Sequence, residues 1–329
     1  FLELGIRLDG NSAFGEDIGL IPFPKVGISY NISEESWFQS IIPQTAISFF
    51  KIRANYGQAG NFPEPFARDR TFARNPFLGG ATLTFGNPGN PNLRAEVTTT
   101  IEAGFDIAAF NGRLRAEFTY FDTGMEIAVS GTVIKTKDIA LDLNASYNTV
   151  ENIVVDAGGA PEFNVGGFQF LGAFVKEGFP LGYLRGDQPF LNDEAQAVDS
   201  IQRDAFLGAP IASDFGTLGL TFTYKKLNVF VSGDYQFGAK GVAVDDVLRF
   251  FRGVNDSTRI PAYAANESFF SLAGLWVEDA DYFKIRTISA NYNFGNLFNN
   301  KVKNFTIGFN AQNPFNWVSS SFDPEISGS

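Results

Sequence analysis

The sequence predicts an all-β chain, a transmembrane antiparallel β-barrel, on three observations. The first is the alternation in Asp214 to Phe237, DFGTLGLTFTYKKLNVFVSGDYQF. Leu218, Leu220, Phe222 and Tyr224 share one parity, with Thr217, Gly219, Thr221 and Thr223 on the other. After Lys225-Lys226 the rhythm resumes through Leu227, Val229, Val231, Tyr235 and Phe237, opposed by Asn228, Ser232, Asp234 and Gln236; Phe230 breaks the polar row. Side chains alternate across a strand, so this is a hairpin with one apolar and one wet face, and a two-residue turn pairs Tyr224 with Leu227. The second is strand length: about ten residues each, what a tilted membrane strand needs. The third is the alternation of long and short connections, as in barrels with tight periplasmic turns and long outer loops.

Composition narrows the class further. The 329 residues are 44% hydrophobic and 15% aromatic, 37 of them Phe, and only 19% charged. Without Cys there is neither a disulfide nor a thiolate site, and without His the commonest metal ligand and general base is gone. No nucleophile–base pair assembles from what remains, so an enzyme is not expected, and paired carboxylates in an acidic protein do not make a glycosidase. A net charge of -11 argues against nucleic acid as a partner. No apolar run approaches the roughly 20 residues of a membrane helix, and a mean hydropathy of -0.03 suits a barrel that hides its apolar half by alternation. The chain opens at Phe1 within a strand pattern, so it reads as a piece of a longer one, and a missing export signal carries no weight.

In order, Leu2 to Leu8 alternates cleanly. Residues 23–32 carry Val26, Ile28, Tyr30 and Ile32 on one side. Ser33 to Ser40 suggests a short helix capped by Ser33. Residues 48–57 present Phe50, Ile52, Ala54 and Tyr56 against Lys51, Arg53 and Asn55. Gln58 to Ala95 reads as a long loop rich in Gly, Pro, Asn and Arg. Val97 to Ile107 is a strand. Asn111-Gly112 is a strong hairpin turn, and Leu114, Ala116, Phe118 and Tyr120 return on the apolar side. Arg113, Arg115 and Glu117 then share the polar side with Glu102 and Asp106, so opposite charges meet there. Residues 125–133 and 139–147 pair around Thr136-Lys137-Asp138. Weaker strands lie near 166–175 and 181–187, and 238–280 is a long loop. Residues 281–294 form a strand whose phase slips near Thr287, a bulge signal. Phe305, Ile307 and Phe309 mark one more strand. Where a long outer loop is due between Thr123 and Gly124 the pattern runs straight on, so residues are expected to be absent from the numbering there. No closing aromatic strand precedes Ser329. A soluble β-sandwich or solenoid would also alternate, but about a dozen strands of membrane length and charges confined to one parity and to loops favour the barrel.

Three sets of residues are candidates for function. Phe62, Phe66, Arg68, Arg70, Phe72 and Arg74 form an aromatic and basic cluster in the first long loop. Such a cluster suits loop–loop packing or contact with a lid, or, as the sharper reading, cargo, through stacking and bidentate binding of carboxylates. Asp187, Asp193, Glu194, Asp199 and Asp204 read as a solvated acidic outer segment; their oxygens suit Ca²⁺, though the spacing is irregular and no cofactor is expected. Trp37, Trp276 and Trp317 suit interfacial girdles. Lys225-Lys226 reads as a solvated periplasmic turn.

Several stretches resemble the C-terminal half of the SusC/RagA family of TonB-dependent outer-membrane transporters. They are KIRANYGQAGN (Lys51 to Asn61), NPNLRAEVTTTIEAGFD (Asn90 to Asp106), Asn111 to Asp122, Gly124-Met125-Glu126, WVEDADYFKIRTISANYNF (Trp276 to Phe294) and NPFNWVSSSFDPE (Asn313 to Glu325). Six motifs in order make the match specific. The resemblance implies that residues 1–329 are the C-terminal portion of a 22-stranded barrel whose N-terminal plug is not in this sequence. It also implies a cell outer membrane setting, a SusD-like surface lipoprotein, the TonB–ExbB–ExbD system as energy source, and active import of an oligosaccharide or oligopeptide. The alternative is a barrel with a structural or adhesive role through its outer loops.

Overall fold

The computed structural model describes residues 1–10, 20–61, 69–77, 80–85, 96–157, 159–254 and 256–325. It divides into two compact units, Phe1–Gly112 with Glu117–Asp122, and Arg113–Ala116 with Thr123–Ser329.

The first unit contains β1 (Leu2–Asp9), β2 (Ile21–Asn31), α1 (Ser36–Ile41), β3 (Ile47–Asn61), β4 (Phe72–Phe77), β5 (Gly80–Phe85) and β6 (Glu96–Ala109). Strands β1, β2, β3 and β6 are antiparallel neighbours in that order, and β4–β5 is a separate hairpin within the long β3–β6 connection. Register puts Leu4 opposite Val26, Val26 opposite Tyr56 and Tyr56 opposite Ile101, so one face is a continuous apolar row. That face is bare: Ile6 is 65% exposed, Ile28 54% and Ile101 55%. A soluble sandwich would cover it. The opposite face carries Glu3, Gly27, Asn55 and Glu102 in register. Opposite charges meet there, where Asp106 is held by Lys51 at 3.2 Å and Arg53 at 3.3 Å, both from β3. Arg53 also donates to Thr119 at 2.6 Å, passing over Gly104, where a Cβ would sit 3.3 Å from its guanidinium carbon and 2.3 Å from the Phe118 carbonyl. Helix α1 starts later than expected; Glu35 precedes it, its side chain makes no capping bond, and Ser33 lies in a short 3-10 turn instead.

Strand β7 (Leu114–Phe121) is divided between the units. Asn111 and Gly112 before it both have positive φ, 58° and 77°, as the Asn-Gly turn demands. The second unit continues with β8 (Gly124–Lys135), β9 (Ile139–Val150), β10 (Phe163–Gly167), β11 (Leu171–Val175), β12 (Tyr183–Asn192), β13 (Ala197–Gly208), β14 (Asp214–Tyr224), β15 (Leu227–Phe237), β16 (Lys240–Val242), α2 (Val244–Phe251), a 3-10 segment (Phe269–Trp276), β17 (Val277–Asp279), β18 (Tyr282–Leu297) and β19 (Val302–Val318). Its wall runs β8-β9-β14-β15-β18-β19, all antiparallel. Leu141, Phe222, Val229, Ala290 and Phe309 stand in one apolar row across five strands, while Asp142, Thr221, Phe230, Ser289 and Asn310 form the adjacent row on the other face. Tyr224 pairs with Leu227 as the sequence rhythm required. The apolar face is again bare, with Leu218 43% and Phe309 63% exposed. Tyr235 lies over Gly216 on this face and donates to the Ser146 carbonyl at 3.1 Å; a Cβ at Gly216 would meet its hydroxyl at 2.5 Å. The expected bulge is present: both neighbours skip Arg286, between Ile285 and Thr287.

The long connections of this unit build a second structure. Strands β10 to β13 form a four-stranded sheet and β16–β17 a small ribbon. Leu171 from that sheet packs with Val247, Ile260, Ala264, Leu272, Ala273 and Trp276 in a dry core. The stretch expected as loop, 238–280, is therefore largely structured, and Trp276 is a fully buried core residue rather than a girdle one. Trp317 does sit on the apolar face, opposite Phe283 and 45% exposed; Trp37 is exposed on α1. Among the described residues no helix is long and apolar enough to cross a membrane.

Candidate functional site

A side chain on the polar face of a barrel can meet whatever passes inside, and outer connections can meet whatever arrives; both are built in detail here. In the first unit Gly27 and Gly57 leave an open hollow of about 300 Å³, bounded by Glu3, Lys25, Asn55 and Glu102. Glu3 and Lys25 pair across it.

In the second unit the polar face ends in a charge cluster centred on the bulge. Arg286, two residues on from Lys284, lies on the same side of the strand, the bulge shifting the phase only beyond it, and both meet the segment after β19. Arg286 binds the Asp234 carboxylate through both Nε and Nη2, the latter at 2.7 Å, and donates to Glu325 at 2.8 Å through Nη1. Lys284, whose side chain is 5% exposed, donates to Asp323 at 2.6 Å and Glu325 at 2.7 Å. The Arg286 guanidinium holds the Glu325 carboxyl down at about 2, and the Lys284 ammonium holds Asp323 below the usual carboxylate range. The strap 319–325 is also tied to the outer structure: Glu278 accepts from the Ser321 backbone at 2.6 Å, and Arg259 donates to the Ser321 hydroxyl at 3.1 Å while pairing with Asp246 and Glu278. Phe322 packs on Ala212, Ala239 and Ala280. An open cavity of about 850 Å³ lies alongside, lined by Asp246, Arg249, Asp256, Thr258, Arg259 and Asp323 among others. The Thr258 hydroxyl and amide keep Asp256 below its ordinary range.

Of the six residues expected in the first long loop, Phe62, Phe66 and Arg68 lie outside the described residues. Arg70 is exposed just before β4, and Phe72 and Arg74, two apart, share one face of β4. The carboxylates of the acidic segment have separate partners: Asp187 pairs with Arg203, Asp199 accepts from Asn192 at 3.1 Å, and Asp193 accepts from the Tyr263 hydroxyl at 2.6 Å, which pushes that phenol up to about 12. Among the described residues no three carboxylates converge on one point. Sequence reasoning missed Arg259, Lys284 and Arg286. The phase slip near Thr287 and the terminal Asp-Pro-Glu were the available signals; each became a partner of the other only in three dimensions.

Comparison with known proteins agrees with this architecture. Residues 1–126 match the family model described as TonB dependent receptor-like, beta-barrel. TonB-dependent receptor P26 of Formosa agariphila is 32% identical over 153 residues, 45% of this chain and 14% of that protein. TonB-dependent receptor SusC of Bacteroides thetaiotaomicron is 28% identical over 188 residues, covering 45% of this chain and 18% of that protein. The matched part thus spans under a fifth of the curated relatives' length. The structure of the RagAB peptide transporter superposes on 99% of this chain and 43% of its own with a TM-score of 0.78 at 17% identity, and the RagAB importer in its 'closed-closed' state gives 0.76 at 16%. With its bare apolar face, polar inner face and match to the TonB dependent receptor-like barrel model over residues 1–126, the chain is similar to β-barrel segments of TonB-dependent receptors such as SusC and shares the fold of the RagAB transporter barrel.

Proposed function

We propose that this segment forms the wall and outer vestibule of a receptor that actively imports a bulky nutrient, an oligosaccharide or oligopeptide, across the outer membrane. The observation that carries the reading is the two-faced wall: an uncovered apolar exterior and an inner face of Asn, Thr, Ser, Gln and paired charges, which suits a wet passage. The chain takes part in no chemistry of its own; like other TonB-dependent transporters it is not an enzyme. A plug upstream, driven by the TonB–ExbB–ExbD system, would open the passage, and a SusD-like lipoprotein would cover the vestibule. Arg70, Phe72 and Arg74 are the described residues of the first long loop proposed to touch cargo or lid. A loop's worth of residues is proposed to belong between Thr123 and Gly124, on the long-connection side.

A non-transporting barrel that binds partners through its loops is the competing reading. Deleting the gene is expected to abolish growth on one oligomeric nutrient while a plug-deleted receptor still reaches the membrane. Unchanged growth and unchanged cargo binding across a broad panel of glycans and peptides would reject import.

A further inference from the structure

The tight turns of the second unit carry a charge pattern that import does not require. Hairpins β8–β9, β14–β15 and β18–β19 all close at one end of the wall, and their turns and the adjoining strand ends hold Lys135, Lys137, Lys225, Lys226, Lys301 and Lys303. These are six of the chain's eleven lysines, in a protein of net charge -11. Asp138 is the one carboxylate on these three turns. Neighbouring turns are stitched together: the Lys225 amide donates to the Asp138 carbonyl at 2.7 Å, and the Asn293 amide donates to the Lys226 carbonyl at 3.0 Å. The basic residues therefore form a continuous rim. All six are exposed, and none forms an ion pair among the described residues. Opposite them, residues 151–213, 238–281 and 319–325 hold eighteen carboxylates against seven cations.

Position supplies the second half of the argument. The apolar face ends at this rim in Tyr224, Tyr292 and Phe305, the aromatic edge expected at a membrane boundary. Lys225 and Lys226 follow Tyr224 directly, and the Lys225 ammonium lies 5.4 Å from the Tyr224 ring centre. Long lysine stems at this depth place their charges at the head-group level. We propose that the turn-end rim is a docking surface for anionic phospholipid head groups of the leaflet it faces, fixing the barrel's depth and gathering an acidic lipid annulus. Surface lysines attract anionic lipid within a Debye length, and the acidic opposite end repels it, so the two ends are told apart by sign. The proposal rests on the membrane-barrel reading but not on import.

The test uses the full-length receptor in nanodiscs of phosphatidylethanolamine with phosphatidylglycerol, and spin-labelled lipid of each kind. The native receptor is expected to enrich phosphatidylglycerol at its surface by at least about threefold, an enrichment that falls with added salt. Replacing all six lysines by Gln should bring it to parity, and Lys225→Gln with Lys226→Gln alone should lower it in part. Lys176→Gln with Lys240→Gln, at the long-connection end, should leave it unchanged. Heat-modifiable gel migration reports separately whether each variant has formed a barrel. No enrichment in the native receptor, enrichment that survives the six-lysine change in a folded barrel, or an acidic protein captured on the rim without any lipid preference would each overturn the proposal.

Discussion

The wall and the outer structure of the second unit use the same residue types in opposite senses. In the wall, Leu218, Leu220 and Phe222 lie with their cross-strand neighbours on the bare apolar face, and polar side chains such as Ser146 and Thr217 bond one another on the inner side. In the outer structure, Leu171, Leu272 and Trp276 point at one another and polar groups face out. The difference identifies the solvent of each part: hydrocarbon for the wall, water for the outer connections. Cutting into the aqueous core should have the largest effect. Trp276→Ala is expected to cost about 3–5 kcal/mol and to open the outer structure to protease, while the wall still migrates as a folded barrel. Simultaneous loss of both would mean that they form one cooperative body.

The wall should obey the reverse rule. Leu220→Arg, mid-strand on the apolar face, is expected to cost about 2–4 kcal/mol in unfolding from lipid vesicles. Thr221→Arg, its neighbour on the polar face, should cost far less. Equal penalties at the two positions would remove the inside–outside assignment.

The same contrast explains what could be read from sequence. Period-two alternation is local, so Leu227–Phe237, the Asn111-Gly112 turn and the bulge near Thr287 were legible residue by residue. The aqueous core was not, because Leu171 and Trp276 lie 105 positions apart and meet only when two long connections fold together. A buried tryptophan and an exposed one look alike in a string, which is why Trp276 was misplaced. The aromatic and basic cluster of the first long loop was legible only as composition: half of it falls outside the described residues, and Phe72 and Arg74 gained their shared face from a hairpin inside an expected loop.

Between the two regions runs the strap 319–325, and its ion pairs give two finer tests. Lys284→Met keeps the stem and removes the charge. Because Asp323 and Glu325 stay partly hydrated, the expected cost is about 1–2 kcal/mol, read as faster amide exchange in the strap without loss of the barrel.

The smallest effect is one of pH. Arg286 holds Glu325 at about 2, below the usual value near 4.5, so the folded state favours the carboxylate. A depressed folded value contributes stability above the unfolded one and loses it as pH falls through the folded one. The strap should therefore keep full exchange protection at neutral pH, begin to lose it below about pH 4.5, and lose most of it near pH 2. The Glu325→Gln receptor should keep only the part of the acid transition that Asp323 supplies and show weaker protection throughout. Since Glu325 is partly exposed, salt should narrow the gap between the two proteins. A strap whose protection is flat from pH 7 to about pH 2 would mean that Phe322, packed on Ala212, Ala239 and Ala280, holds it without the charges.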